Sequence, residues 1–166
     1  RMLRAAKLDK NLYEEVEADK SATSQAMLVV MITSIALGIG SLTERGWIGI
    51  IISLIFGLLG WAIWAYINYI VGSKWLREPQ TDADWGQLAR TMGFASTPRL
   101  LSVFAVIPIP IFSPLILFLA GIWWWAALII AVRQALDYTS TWRAIAVTGI
   151  GFVLHVIVLS LVLLLL

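Results

Sequence analysis

The chain has no cysteine and a single histidine, and only 13% of its 166 residues are charged. Without cysteine there are no disulfides, no thiolate metal sites and no thiol nucleophile. One histidine alone cannot assemble an ordinary zinc site. Soluble domains carry roughly 25% charged residues. Charge this sparse, beside 60% hydrophobic residues, excludes a soluble globule and predicts an integral membrane protein. A net charge of +2 gives no nucleic-acid signal. The length predicts one domain, and the first apolar run has no small-residue cleavage site, so no signal peptide is expected.

Intramembrane acids are also missing. The 10 acidic residues are five within residues 1–20, then Glu44, Glu78, Asp82, Asp84 and Asp137, all outside the apolar runs. An intramembrane protease needs paired acids or a serine with a base, and a proton-coupled carrier usually needs a buried acid. No glycine-rich phosphate loop of the Walker type occurs. The sequence therefore predicts no enzyme, no catalytic residue, no metal site and no cofactor.

What is present is organised by hydrophobic periodicity. Residues 1–20, RMLRAAKLDKNLYEEVEADK, read as one amphipathic cytoplasmic helix, because Leu8, Leu12 and Val16 recur every four positions. Its first half carries Arg1, Arg4, Lys7 and Lys10, and its second half Glu14, Glu15, Glu17 and Asp19. The basic half suits anionic lipid headgroups, at about 1 kcal/mol per residue. The acidic half is a candidate docking surface for a basic partner. Residues 21–166 read as the membrane domain. A first span over 21–42 ends in the turn GIGSLTERG, and a second over 47–72 carries Trp61, Trp64, Tyr66 and Tyr69 toward its far end. Residues 73–96 are a polar connection with a short interfacial helix starting near Asp82 or Asp84.

Between Arg99 and Arg133 lie 33 uncharged residues, too many for one span of about 20 and slightly few for two. Pro108, Pro110 and Pro114 donate no backbone hydrogen bond, and an unsatisfied carbonyl in hydrocarbon costs several kcal/mol. They predict a helix break at an interface, with spans over 93–107 and 114–136 on either side. A last span covers 143–166. Five spans put 11 basic residues on the N-terminal side (Arg1, Arg4, Lys7, Lys10, Lys20, Lys74, Arg77, Arg90, Arg99, Arg133, Arg143) against Arg45 alone. Four spans divide them 9 to 3, because Arg133 and Arg143 change sides. The positive-inside rule favours five, with a cytoplasmic N-terminus. The expected fold is thus an all-α polytopic bundle of five transmembrane helices, preceded by an interfacial helix, in which helices three and four form a Pro-rich hairpin.

Within the spans, Gly49, Ser53 and Gly57 recur every four residues, as do Ala127, Ala131 and Ala135. Small residues at this spacing let helices approach closely in lipid. Three consecutive tryptophans, Trp123–Trp125, point to three faces of a helix and cannot form one stripe. His155 lies 12 residues past Arg143, about 18 Å into the span at 1.5 Å per residue. It is either a neutral histidine bonded to a neighbouring helix or a weak candidate axial ligand for a tetrapyrrole, with Gly151 leaving room on its face.

Three stretches, YEEVEADKSATSQA, TPRLLSVFAVIPI and WWWAALIIAVRQALDYTSTWRAIAVT, resemble the Yip family (Ypt/Rab-interacting proteins), in particular its bacterial branch. The resemblance implies five spans with a cytoplasmic N-terminus, and for the bacterial branch a multi-pass protein of the cytoplasmic membrane. Eukaryotic members bind Rab-type GTPases and one another, but this chain has a very short N-terminal region where those members have long ones. GTPase binding is therefore not carried over.

The resulting expectation is a non-enzymatic membrane scaffold or accessory subunit that packs against other membrane proteins in the bilayer. The alternatives are a small transporter or lipid-handling protein, with Arg99 and the proline break marking a site, and a pigment or haem carrier through His155.

Overall fold

The structure, a computed structural model, describes residues 1–165 and contains helices and turns but no strand among them. Two short helices, α1 (Met2–Ala6) and α2 (Lys10–Ala18), come first. The single helix expected over residues 1–20 is therefore split. Leu8 adopts a positive φ of 60°, and the Asp9 carboxylate accepts the Asn11 amide at 3.0 Å, so a helix ends and a new one is capped within three residues. Leu12, Tyr13 and Val16 face inward and are fully buried. The helix leans on the bundle with its apolar face rather than presenting that face to a flat membrane surface.

Next come α3 (Ala22–Gly40), the single turn α4 (Leu42–Arg45), and α5 (Ile48–Ile70), which continues through a π-helical turn to Trp75. Then α6 (Trp85–Ala95) is opened by a capping box: Asp84 accepts from the Gln87 amide while the Gln87 side chain accepts from the Asp84 amide. A 3-10 stretch, Thr97–Val106, follows directly. Finally α7 (Phe112–Ala135) and α8 (Thr141–Leu165) run back and forth beside it. Among the described residues, four helices are long and apolar enough to cross a membrane: α3, α5 with its π turn, α7, and Thr141–Leu161 of α8. The chain is a multi-pass membrane protein.

The third expected span, an α-helix over 93–107, is replaced by α6 and the 3-10 stretch. Pro98 has no amide hydrogen for the Phe94 carbonyl, and the Thr97 hydroxyl donates to that carbonyl instead at 2.7 Å. Beyond this point the bonding shifts to the tighter pattern, whose rise of about 2.0 Å per residue outruns the 1.5 Å of an α-helix. Ten residues then extend about 20 Å. The segment lies along α3. A Cβ built on Gly93 would sit 2.8 Å from the Ala26 Cβ near the start of α3, and one on Gly40 would sit 2.1 Å from the Ser102 carbonyl oxygen at its end. Pro108 and Pro110 fall in the connection to α7, and Pro114 in the first turn of α7, where its missing amide costs nothing. The Ser113 hydroxyl donates to the Ala105 and Ile107 carbonyls at 3.0 Å each, closing the connection.

The core is concentrated at the end that carries the N-terminus, where Tyr13, Leu88, Phe94, Leu128 and Leu136 are fully or almost fully buried. Three indoles stitch the helices beneath this cap. Trp61 Nε1 donates to the Ala89 carbonyl at 2.9 Å, Trp85 Nε1 to Ala62 at 3.2 Å, and Trp123 Nε1 to Ala6 at 2.9 Å. Indole rings with one polar edge suit the boundary between apolar spans and a charged cap.

The register of the third segment against α3 is testable. Gly40→Val should lower stability by about 1–3 kcal/mol, because its Cβ meets backbone that cannot step aside. Gly121→Val, where nothing lies within 4 Å, should cost far less. Unfolding of both variants in mixed micelles checks this. Equal losses would contradict the register.

Candidate functional site

Two sites emerge, one on the charged end and one inside the bundle. On the charged end, the basic and acidic halves of residues 1–20 engage each other. Arg1 pairs with Glu15 and Asp19 at 2.9 Å each, and Arg4 with Asp9 at 2.7 Å and Glu15 at 2.5 Å. The two guanidiniums hold the Glu15 carboxyl below its usual range, Arg4 more than Arg1. Lys7 and Lys10 are both exposed. Surface pairs of this kind stabilise little; here they fix the angle between α1 and α2.

A residue that the sequence reading used only as one charge among many anchors this cap. Arg90, on α6, is buried. Its Nε donates to the Val16 carbonyl at 2.9 Å and its Nη2 to the Glu17 carbonyl. Those carbonyls belong to the last turn of α2, which lacks helical partners of its own and carries the negative end of the helix dipole. Arg90 therefore closes α2 from 74 residues away. No local sequence pattern announces such a contact.

Beside it the fold gathers carboxylates from separate elements. Glu17 is half-buried, and burial pushes its carboxyl up to about 7, with further lifting from Asp137, an opposing effect of Arg90, and smaller lifts from Glu14 and Asp84. Asp137, in the α7–α8 turn, is raised by burial and by Asp82 and Glu14. The Gln134 amide donates to Glu14 at 2.7 Å and the Gln87 amide to Glu17 at 3.1 Å, so neutral groups position two of these acids. The result is a negatively charged patch built from α2, the start of α6, the preceding loop and the α7–α8 turn.

Inside the bundle, a cavity of about 370 Å³ lies between α3, α5, α6 with the third segment, α7 and α8, whose Phe152 and His155 complete its wall. Arg99 projects into it, with its guanidinium carbon 4.7 Å from the centre of the Trp124 ring. Among the described residues no carboxylate lies within ion-pair distance of Arg99 and no group accepts a hydrogen bond from its side chain. Ser34 and Ser53 add hydroxyls to the wall, and Val30, Phe56, Met92 and Leu128 add apolar surface.

The small-residue positions face inward or toward neighbouring turns. A Cβ on Gly57 would meet the Ser34 Oγ at 2.0 Å, and one on Gly49 the Arg45 Cβ at 2.9 Å. Ser53 lines the cavity. Ala127, Ala131 and Ala135 have no exposed surface. His155 stacks on Trp64 with ring centroids 5.6 Å apart and an interplanar angle of 24°. Its Nδ1 is buried without a partner, as are Trp64 Nε1 and Asn68 Oδ1. The three consecutive tryptophans take three tasks: Trp123 bonds α1, Trp124 lies under Arg99, and Trp125 meets Phe152 edge-on at 5.5 Å.

Two predictions follow from the charged end. Arg90→Ala should free α2, at a cost of about 1.5–3 kcal/mol or more for hydrogen bonds from a buried charge. Faster hydrogen exchange over residues 10–18 checks this, and unchanged protection would contradict it. Glu17 also makes the cap pH-sensitive. Its carboxyl is raised in the fold, so the folded state holds a proton that the unfolded one releases. This contribution is full below about pH 4.5, declines as pH rises, and is lost above about 7. Protection factors over α2, which remove the intrinsic base catalysis of exchange, should fall from pH 5 to pH 8, and Glu17→Gln should flatten that fall.

The Yip1 domain family model matches residues 12–162. No curated protein and no solved structure matches the chain. A match over nearly the whole length, on a bundle of apolar helices behind a charged N-terminal cap, places this chain in the Yip1 domain family.

Proposed function

We propose that this protein is a non-enzymatic scaffold or accessory subunit of the bacterial cytoplasmic membrane, built from five crossings with a cytoplasmic N-terminus. Its charged cap docks a basic segment of a partner membrane protein. Five crossings are supported by the path of Gly93–Ser102 along α3 from Ala26 to Gly40, together with the charge partition of the sequence.

The observation that carries the docking reading is the patch formed by Glu14, Glu17, Asp82, Asp84 and Asp137. It is assembled from segments more than a hundred residues apart, and Glu17 and Asp137 stand raised by burial and by their acidic neighbours. Like charges held together in a fold repel, and a cationic partner relieves that repulsion. Family membership agrees with this reading, since the Yip family implies interactions between membrane proteins. The carboxylates occupy the cap, its loops and α4, away from the apolar spans, which favours binding over chemistry.

Purification in a mild detergent at low salt should bring down a stoichiometric partner. A triple variant, Glu14→Gln, Asp82→Asn and Asp137→Asn, should lose it, as should washing at high salt. A protein that runs alone at every step, or a partner indifferent to the triple variant, would overturn the proposal.

A further inference from the structure

The acidic cap leaves the interior of the bundle unexplained. Arg99 stands beside Trp124 on the wall of the cavity, one face of its guanidinium against the indole. A desolvated charge within a membrane protein is costly unless a partner or water compensates it. The polar groups that line it are the Arg99 guanidinium, the hydroxyls of Thr33, Ser34, Ser53 and Ser96, indole N–H groups and the His155 imidazole, with Arg45 at one end. No carboxylate lines the cavity. The lining thus attracts negative charge and has none of its own.

The remaining wall says what carries that charge. Most of it is apolar, and the cavity rim includes Ile52 and Phe56, whose side chains are themselves exposed on the outside of α5. Ile52 and Phe56 lie on a helix that is long and apolar enough to span a membrane. The opening beside them therefore faces the hydrocarbon region rather than bulk water. A ligand entering there has an apolar chain. The close contact of Gly57 with Ser34 pins α3 against α5 along one edge, so the cavity is a fixed recess between helices.

We propose that this recess binds an anionic amphiphile, a phosphate monoester on an alkyl chain, with the phosphate on Arg99 and the chain directed past Ile52 and Phe56. Guanidinium and phosphate pair through charge-assisted, frequently bidentate hydrogen bonds. The Ser34 and Ser53 hydroxyls supply further donors, and Trp124 keeps the guanidinium plane in place. The site is independent of the acidic cap.

The test uses the purified full chain in a neutral detergent, titrated separately with dioctanoyl phosphatidic acid, dioctanoyl phosphatidylcholine and inorganic phosphate. Tryptophan fluorescence follows binding, because Trp124 lies under Arg99, and thermal stability follows in parallel. Saturable binding of phosphatidic acid is expected, with phosphatidylcholine at least about tenfold weaker, the loss of one charge-assisted contact. Arg99→Gln should bring phosphatidic acid to the level of phosphatidylcholine, and Ser53→Leu, which fills the recess and leaves Arg99 intact, should weaken both lipids. Should Arg99→Gln fail to fold, the comparison of lipids on the unaltered chain and the Ser53→Leu result still decide. Saturation by inorganic phosphate at the same concentration would assign the site to the free anion and overturn the alkyl part. Equal binding of the two lipids, or no saturable binding, would overturn the site altogether.

Discussion

Pro98 has no amide hydrogen, so the Phe94 carbonyl receives the Thr97 hydroxyl instead, and the backbone beyond it narrows to a 3-10 pattern. In a medium without water every carbonyl needs such a substitute. The narrowing also lengthens the path, letting ten residues reach along α3 to the Ser102–Gly40 contact. The break brings Arg99 to the interior, since it stands two residues after the threonine that meets the Phe94 carbonyl. The break thus sets where Arg99 stands in the wall of the recess.

The second constraint is at the opposite end of the same segment. Asp84 and Gln87 start α6 at a defined residue, and Arg90, two turns on, reaches the last carbonyls of α2. The N-terminal helices are thereby tied to the segment that carries Arg99. The indoles of Trp61 and Trp85 bind α6 to α5, and Trp123 binds α1 to α7. Cap, indole layer and recess form one stack along α6 and its continuation. The acidic patch lies on the outer surface of that stack, where Glu17 and Asp137 are raised by burial and by acidic neighbours.

Much of this architecture is legible in the residues. Apolar runs mark α3, α5, α7 and α8 to within a few positions, and the spacing of Leu12 and Val16 identifies the buried face of α2. The proline cluster at Pro108 and Pro110 locates the connection to α7. The third segment is harder to read because Gln87 and Arg90 lower the apolar content of α6, so hydropathy divides one continuous path into a polar loop and a short span. Leu8 gives no hint of its positive φ, since an ordinary leucine avoids it. Nor do Arg90 and Arg99 carry local signatures. One is explained by carbonyls more than 70 residues away, the other by a wall drawn from several elements.

The proposal to test is that residues 85–106 cross the membrane, which puts the proline connection outside and the α7–α8 turn on the cytoplasmic side, together with the loop before α6 that it hydrogen-bonds. The chain has no cysteine of its own, and Ile109 and Asp137 are both exposed. The most direct test places a single cysteine at each in turn and labels intact cells with a membrane-impermeant maleimide. Labelling at position 109 and protection at 137 is the predicted result. Labelling at 137 with protection at 109 would mean that the segment folds back without crossing, and would contradict the account.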